Sequence, residues 1–170
     1  MKRAAWADAT RWDSVRSPEG CAICQAGQPR DVVAEGGATW VTAALEAELP
    51  GYACVVSKHH AVEPFELSVE DAGLFWAEAM SAARVIAALT AAVKMNYGIH
   101  GNVIPHLHMH LWPRYVEDPE GSGRLLSYEV LDSEEAARRS VTPRPDATLT
   151  GFKAGDMRVR RRAGAAQRGR

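Results

Sequence analysis

Apolar residues along this chain follow two different rhythms. From position 31 to 57 they come in short bursts separated by turn formers, which is the pattern of strands. Residues 31–34 and 39–44 read as two strands around Gly36-Gly37, a hairpin signal. Pro50-Gly51 then marks a turn, and 53–57 reads as a buried strand. From Ser68 the rhythm changes. Ser68-Val69-Glu70-Asp71 resembles a capping box, and it predicts a helix running to about Met95. Along that helix Phe75, Ala79, Ala82, Ile86, Leu89 and Val93 alternate spacings of four and three, a single apolar stripe for packing on a sheet or a second helix. Residues 96–103 and 106–115 complete an antiparallel sheet. Residues 1–20 form a polar arm with Trp6 and Trp12, expected to pack on the domain or on a partner subunit. Beyond Tyr115, 118–123 is a loop, 132–140 a short helix capped by Asp132 or Ser133, and 141–145 a break. The expectation is an α+β fold: an antiparallel sheet of about five strands, one long helix and a short C-terminal helix. Its expected parts are an arm over 1–20, a domain over 21–145 and a tail over 146–170.

Composition narrows the class without naming a function. A chain of 170 residues, 46% hydrophobic and 24% charged, fits one globular domain with tails. It has no uncharged apolar run of bilayer length, and its first residues lack a signal-peptide core. Three cysteines, two closely paired, suit a reducing compartment, so a cytoplasmic protein is expected. Net charge is −1, but residues 157–170 hold six arginines and no acid, leaving −7 on the remainder. Such a tail reads most simply as a solvated extension, with weak nucleic-acid contact the lesser alternative. Internal repeats are absent, and Gly98-x-x-Gly101 lacks both the spacing and the lysine of a phosphate loop.

Candidate chemistry concentrates in one stretch. His106, His108 and His110 alternate with Leu107, Met109 and Leu111. A strand repeats its side-chain direction every two residues, so three imidazoles share one face while the apolar residues face a core. A lone buried histidine is usually structural; three in strict alternation point to function. Two chemistries remain open from the spacing: covalent catalysis by one imidazole, or a metal bound by all three.

His106-Leu107-His108-Met109-His110-Leu111-Trp112-Pro113-Arg114 resembles the signature of the histidine triad (HIT) family of nucleotide hydrolases and transferases. Residues 49–60 resemble that family's strand before its long helix, and the likeness runs from roughly Cys21 to Arg114. The resemblance implies a homodimer acting on a nucleotide, with His108 as the nucleophile that forms a covalent nucleotidyl-histidine. It implies that His110 helps the leaving group depart, and that Asn102, beside Gly101, binds α-phosphate oxygens; on its own, Asn102 also reads as an ordinary turn residue. Ile23 is likewise placed toward the substrate. His110, rather than glutamine, favours a hydrolase or phosphorolytic enzyme over a sugar-phosphate transferase. Dinucleoside polyphosphates and nucleoside phosphoramidates both fit, and magnesium could accompany a polyphosphate.

Cys21-Ala22-Ile23-Cys24 is a C-x-x-C pair, by itself compatible with half a zinc site, a redox pair or chance. No buried strand precedes it, unlike a thioredoxin-type motif. Likeness to bacterial zinc-containing family members implies structural zinc held by Cys21, Cys24, His60 and His106. His59 would face the other way, and Cys54 reads as a small buried hydrophobe. The resemblance also breaks in places. Ala44 stands where many members place a ribose-binding Asp or Asn, for which Glu46 is the nearest substitute, and Tyr52 stands where one branch has histidine. Two other classes stay open: a three-histidine metal-dependent hydrolase, and a non-enzymatic zinc-stabilised protein that binds nucleotide or nucleic acid.

Overall fold

The structure is a computed structural model, and it describes residues 5–43 and 49–116. Within them lie helices α1 (Ala9–Val15), α2 (Ala22–Ala26) and α3 (Val69–Thr90), and strands β1 (Val32–Glu35), β2 (Thr39–Thr42), β3 (Ala53–Ser57), β4 (Lys94–Ile99) and β5 (His108–Arg114). Strand order is β1-β2-β3-β5-β4, with every neighbouring pair antiparallel. The expected five-stranded sheet and long helix are therefore present. The helix expected at 132–140 and the basic tail lie outside the described residues.

Register divides the sheet into two faces. Val55 pairs with Met109 and Ala53 with Leu111, and these residues form the core with Phe75, Ala79, Ala82 and Ile86 of α3. Burying Phe75 and Ile86 contributes about 2–3 kcal/mol each. On the opposite face Val56 pairs with His108, Cys54 with His110, and Gly98 with His110 from the other side. Directly opposed residues share a face, so the apolar half of the alternation holds α3 while the histidine half faces away from it. By length and composition alone α3 could cross a bilayer, but it carries Glu70, Asp71, Glu78 and Arg84 and lays its stripe on the sheet.

α3 begins where expected: the Ser68 hydroxyl accepts from the Asp71 N–H at 3.1 Å. It ends earlier. Ala91 adopts a left-handed conformation, φ 54°, and closes the helix; Val93 N–H already donates to the Arg114 carbonyl beside β4. Leu89 and Val93 accordingly fall off the buried stripe and are exposed. The strand expected at 96–103 is β4, shifted to begin at Lys94 and end at Ile99. Gly51, φ 76°, supplies the left-handed turn into β3.

One buried acid on α3 was not foreseen. Glu78 is 4% exposed, and its carboxyl group accepts from Gly37 N–H at 2.7 Å, Ala38 N–H at 3.1 Å and the Thr39 hydroxyl at 2.7 Å. It satisfies the backbone of the β1–β2 hairpin, and Gly36 leaves room for it, since a Cβ there would lie 2.3 Å from its Oε2. Glu78→Ala would strand two buried donors, the Ala38 N–H and the Thr39 hydroxyl, and take a third bond from the exposed Gly37 N–H. We expect a loss of about 3 kcal/mol, read as a lower denaturation midpoint at unchanged slope.

Candidate functional site

β5 begins at His108, one histidine later than expected. Leu107 is held by two backbone bonds, its N–H to the Ala61 carbonyl (2.6 Å) and its carbonyl to Ser57 N–H (3.0 Å). His106 consequently stands just before the strand rather than within it. Its ring packs edge-on against His60, centroids 5.3 Å apart, while His108 and His110 remain neighbours at 4.8 Å. The three-in-a-row expectation is thus corrected to a pair plus one.

His106 joins a cluster that the chain assembles from distant positions. Its Nδ1 lies 3.3 Å from Cys21 Sγ and 3.6 Å from Cys24 Sγ; His60 Nδ1 lies 3.2 Å from Cys24 Sγ. The four ligand atoms all lie within 4.8 Å of one another. The outer nitrogens are engaged as well: His106 Nε2 donates to the Ser57 carbonyl and His60 Nε2 to the Arg16 carbonyl, both at 2.8 Å. Those bonds put each proton on Nε2 and leave both Nδ1 lone pairs facing the sulfurs, the arrangement metal-ligating histidines need. A tetrahedral ion with ordinary Zn–S and Zn–N bonds would set sulfur–nitrogen edges of about 3.6 Å, near the separations seen. Cys21, Cys24, His60 and His106 are therefore positioned to bind a metal. His59 points elsewhere, to Asp71 at 3.3 Å.

α2 brings the cysteines there. Cys21 is its N-cap and Gly27, φ 78°, ends it, so both sulfurs leave one short turn of helix. Ile23 sits half-buried in α2 between them. Burial and the adjacent Cys21 sulfur push the Cys24 thiol up to about 11; a bound metal would have to displace that proton.

The second cluster lies on β5. His108 Nδ1 donates to the His106 carbonyl at 2.6 Å. His108 is half-buried, and burial lowers its pKa. His110 is nearly enclosed, stacked on Trp112 at 5.1 Å and 13°. Burial first, then the charges of His108 and His100, drive it down to about 3. Both imidazoles are thus neutral at neutral pH. Tyr52 places its hydroxyl 2.6 Å from His110 Nδ1, and Cys54 Sγ stands 3.3 Å from the same nitrogen. Burial pushes the Cys54 thiol up to about 11, so it stays protonated, as expected of a small buried hydrophobe.

His100 was not anticipated. Its ring is 5.5 Å from His110 and 5.9 Å from Trp112, and Gly98 makes that packing feasible: a Cβ at 98 would come within 2.8 Å of both His100 and Trp112. No local sequence pattern marks it; its place follows from the pairing of Gly98 with His110 across the sheet. Gly101 takes φ 61° and turns the chain into Asn102, whose Oδ1 accepts from the Trp6 indole N–H at 3.1 Å. Trp6 thus reaches Asn102 through one exposed hydrogen bond that uses the Asn102 amide oxygen. Ala44 and Glu46, the candidate ribose contacts, lie outside the described residues.

A five-stranded antiparallel sheet, one long helix behind it and a His-x-His pair on the open face define the architecture of a histidine-triad protein. The model of the HIT domain family matches residues 25–117, more than half of the chain, and the chain belongs to that family. Among solved structures it is similar to a histidine triad protein from Sinorhizobium meliloti (25% identity, 58% of this chain and 75% of that one, TM-score 0.53). It is also similar in fold to a HIT family protein from Bacillus anthracis (23%, 72% and 92%, TM-score 0.54) and to one from Bacillus subtilis (20%, 71% and 91%, TM-score 0.54). No curated protein matches. Cys21 and Cys24 precede the matched segment, so the metal cluster stands on this chain's own geometry.

Proposed function

We propose that the protein is a nucleotide hydrolase that cleaves a phosphoanhydride or phosphoramidate bond through a nucleotidyl-histidine on His108. One observation carries this reading: the 2.6 Å bond from His108 Nδ1 to the His106 carbonyl. A neutral imidazole has one proton; held on Nδ1, it leaves the Nε2 lone pair free to attack. Nε2 attacks the α-phosphorus, a P–N bond forms, and the bond to the leaving group breaks with its electron pair on that group. Water then attacks the same phosphorus, the P–N bond breaks, His108 recovers its lone pair, and the proton from water passes to solvent. His110 contributes a hydrogen bond where charge develops, and the Asn102 amide contributes another to the α-phosphate oxygens.

The fit of two thiols and two imidazoles supports zinc, bound structurally by Cys21, Cys24, His60 and His106. When bound, zinc would tie α2 to the end of the sheet; no reaction step passes through it. Both nitrogens of His106 are engaged there, which argues against a metal shared with His108 and His110. Magnesium, where it is needed, would arrive with a polyphosphate substrate. A homodimer is part of the same proposal.

The test is intact-mass measurement after rapid quench, with a dinucleoside polyphosphate or an adenosine phosphoramidate as substrate. The expected result is a chain heavier by one nucleotidyl group; steady turnover with no adduct at any quench time overturns the mechanism. Asn102→Ala, which loses only the exposed bond from Trp6, should lower the melting temperature by no more than about a degree, on the order of an exposed hydrogen bond, and lower kcat/KM by about 100-fold. An unaltered kcat/KM would remove Asn102 from the site.

A further inference from the structure

Tyr52 follows the Pro50-Gly51 turn at the foot of β3, and its ring stacks against His110 at 5.9 Å and 26°. Three groups that each carry one proton at neutral pH meet there: the Tyr52 hydroxyl, the Cys54 thiol and the His110 imidazole. The hydroxyl is 2.6 Å from His110 Nδ1 and 3.2 Å from Cys54 Sγ. Of these two neighbours, the imidazole nitrogen is both nearer and far the stronger acceptor, since sulfur accepts hydrogen bonds weakly. A separation of 2.6 Å is also the length of a bond in which O–H donates. We infer that the Tyr52 O–H donates to Nδ1, an arrangement in which His110 keeps its own proton on Nε2. Next to it His108 holds the opposite tautomer, Nδ1–H to the His106 carbonyl. Two imidazoles 4.8 Å apart thus offer a lone pair and a proton respectively.

We propose that Tyr52 is a positioning residue that holds His110 as a neutral Nε2–H donor and so biases the site toward leaving groups that depart without gaining a proton. The proposal rests on the nucleotidyl-histidine reading above. When the P–N bond to His108 forms and an anhydride P–O bond breaks, the electron pair leaves on a phosphate oxygen, which is stable as an anion at neutral pH. A hydrogen bond from Nε2–H to that oxygen is sufficient, and the proton stays on His110. An amine leaving group must gain a proton as the P–N bond of the substrate breaks. His110 could supply it only if Tyr52 passed its own proton to Nδ1 and was left as a buried tyrosinate, so that proton comes more readily from water. Burial holds His110 neutral, at about 3, and holds the Cys54 thiol protonated, at about 11, so the proton arrangement persists across the physiological range. Phenol at this place differs from a second imidazole in one respect that matters here: it does not readily gain or lose a proton near neutral pH.

Two measurements on the full-length protein decide this. Long-range ¹H–¹⁵N spectra of histidine-labelled parent protein report the tautomer directly and require no variant. His110 should show the pattern of an Nε2–H ring, and Tyr52→Phe, which keeps the ring packing, should convert it to a mixture. An Nδ1–H pattern in the parent, or an unchanged pattern in Tyr52→Phe, overturns the proposal. The second measurement is the ratio of kcat/KM for diadenosine triphosphate to that for adenosine 5′-phosphoramidate. The parent should favour the anhydride, and the ratio should fall about tenfold in Tyr52→Phe, with the change in kcat rather than KM. A purely structural loss would lower both substrates alike and leave the ratio fixed, which overturns the proposal. If the parent turns over neither substrate, the nucleotide-hydrolase reading fails, and the tautomer spectra still decide the role of Tyr52.

Discussion

Replacing His108 by alanine should abolish the covalent adduct and lower turnover by about 10⁴-fold or more, the scale on which a nucleophile's removal is felt. The expectation follows from its place in the fold. His108 opens β5 on the face away from α3, half-buried, and among the described residues its side chain makes one hydrogen bond, to the His106 carbonyl. Removing it takes nothing from the core under Met109 and Leu111, so the melting temperature should fall by only a few degrees. His108→Asn tests the same point more strictly, because an amide can occupy the space and bond the same carbonyl yet cannot attack phosphorus. Both variants should still bind nucleotide with a dissociation constant near the parent's KM. The measurement is single-turnover hydrolysis alongside quenched intact mass. A His108→Asn protein that cleaves as fast as the parent would falsify the assigned chemistry while leaving the fold assignment untouched.

How far the chain could be read in advance depended on whether each feature was local. The alternation from Leu107 to Trp112 was legible because period two appears directly in the apolar residues Leu107, Met109 and Leu111, all of which are fully buried. The start of α3 was legible because Ser68 and Asp71 carry the cap within four residues. Its end was not: Ala91 takes a left-handed conformation that its side chain does not favour, so tertiary contact, not propensity, stops the helix. The departure of His106 from the row was hidden for a related reason, since bonds to Ser57 and Ala61, far away in sequence, set the backbone at Leu107. Helices α1 and α2 span seven and five residues, too short for periodicity to show. Glu78 had a visible signal that went unread, a charge three positions after Phe75 and one before Ala79, both on the buried stripe. The metal ligands came through family likeness alone. Cys21 and His106 are 85 residues apart, and no local pattern joins them.

Metal loss should have the largest effect on stability. Two thiols and two imidazoles within 4.8 Å join three separate pieces of chain: α2 through Cys21 and Cys24, the bend after β3 through His60, and the entry to β5 through His106. The outer bonds extend the anchorage to the arm through the Arg16 carbonyl and to β3 through the Ser57 carbonyl. Without the ion, Cys21 and His106 remain buried polar groups with poorer partners. Cys24→Ser should therefore reduce bound zinc from one per chain to a small fraction and cost about 3 kcal/mol, a fall in melting temperature of roughly 10–15 °C for a domain of this size. A strong chelator should lower the parent's melting temperature similarly, and added zinc should restore it only where all four ligands are intact. Activity should fall less steeply than stability, because the His106 carbonyl that orients His108 belongs to the same residue as the ligand ring: loosening the ring blurs the nucleophile's position without removing it. Elemental analysis and calorimetry on the same preparations give the answer. Protein purified without chelators that holds no zinc, or a Cys24→Ser variant that melts with the parent, would leave the four residues as a hydrogen-bonded cluster and nothing more.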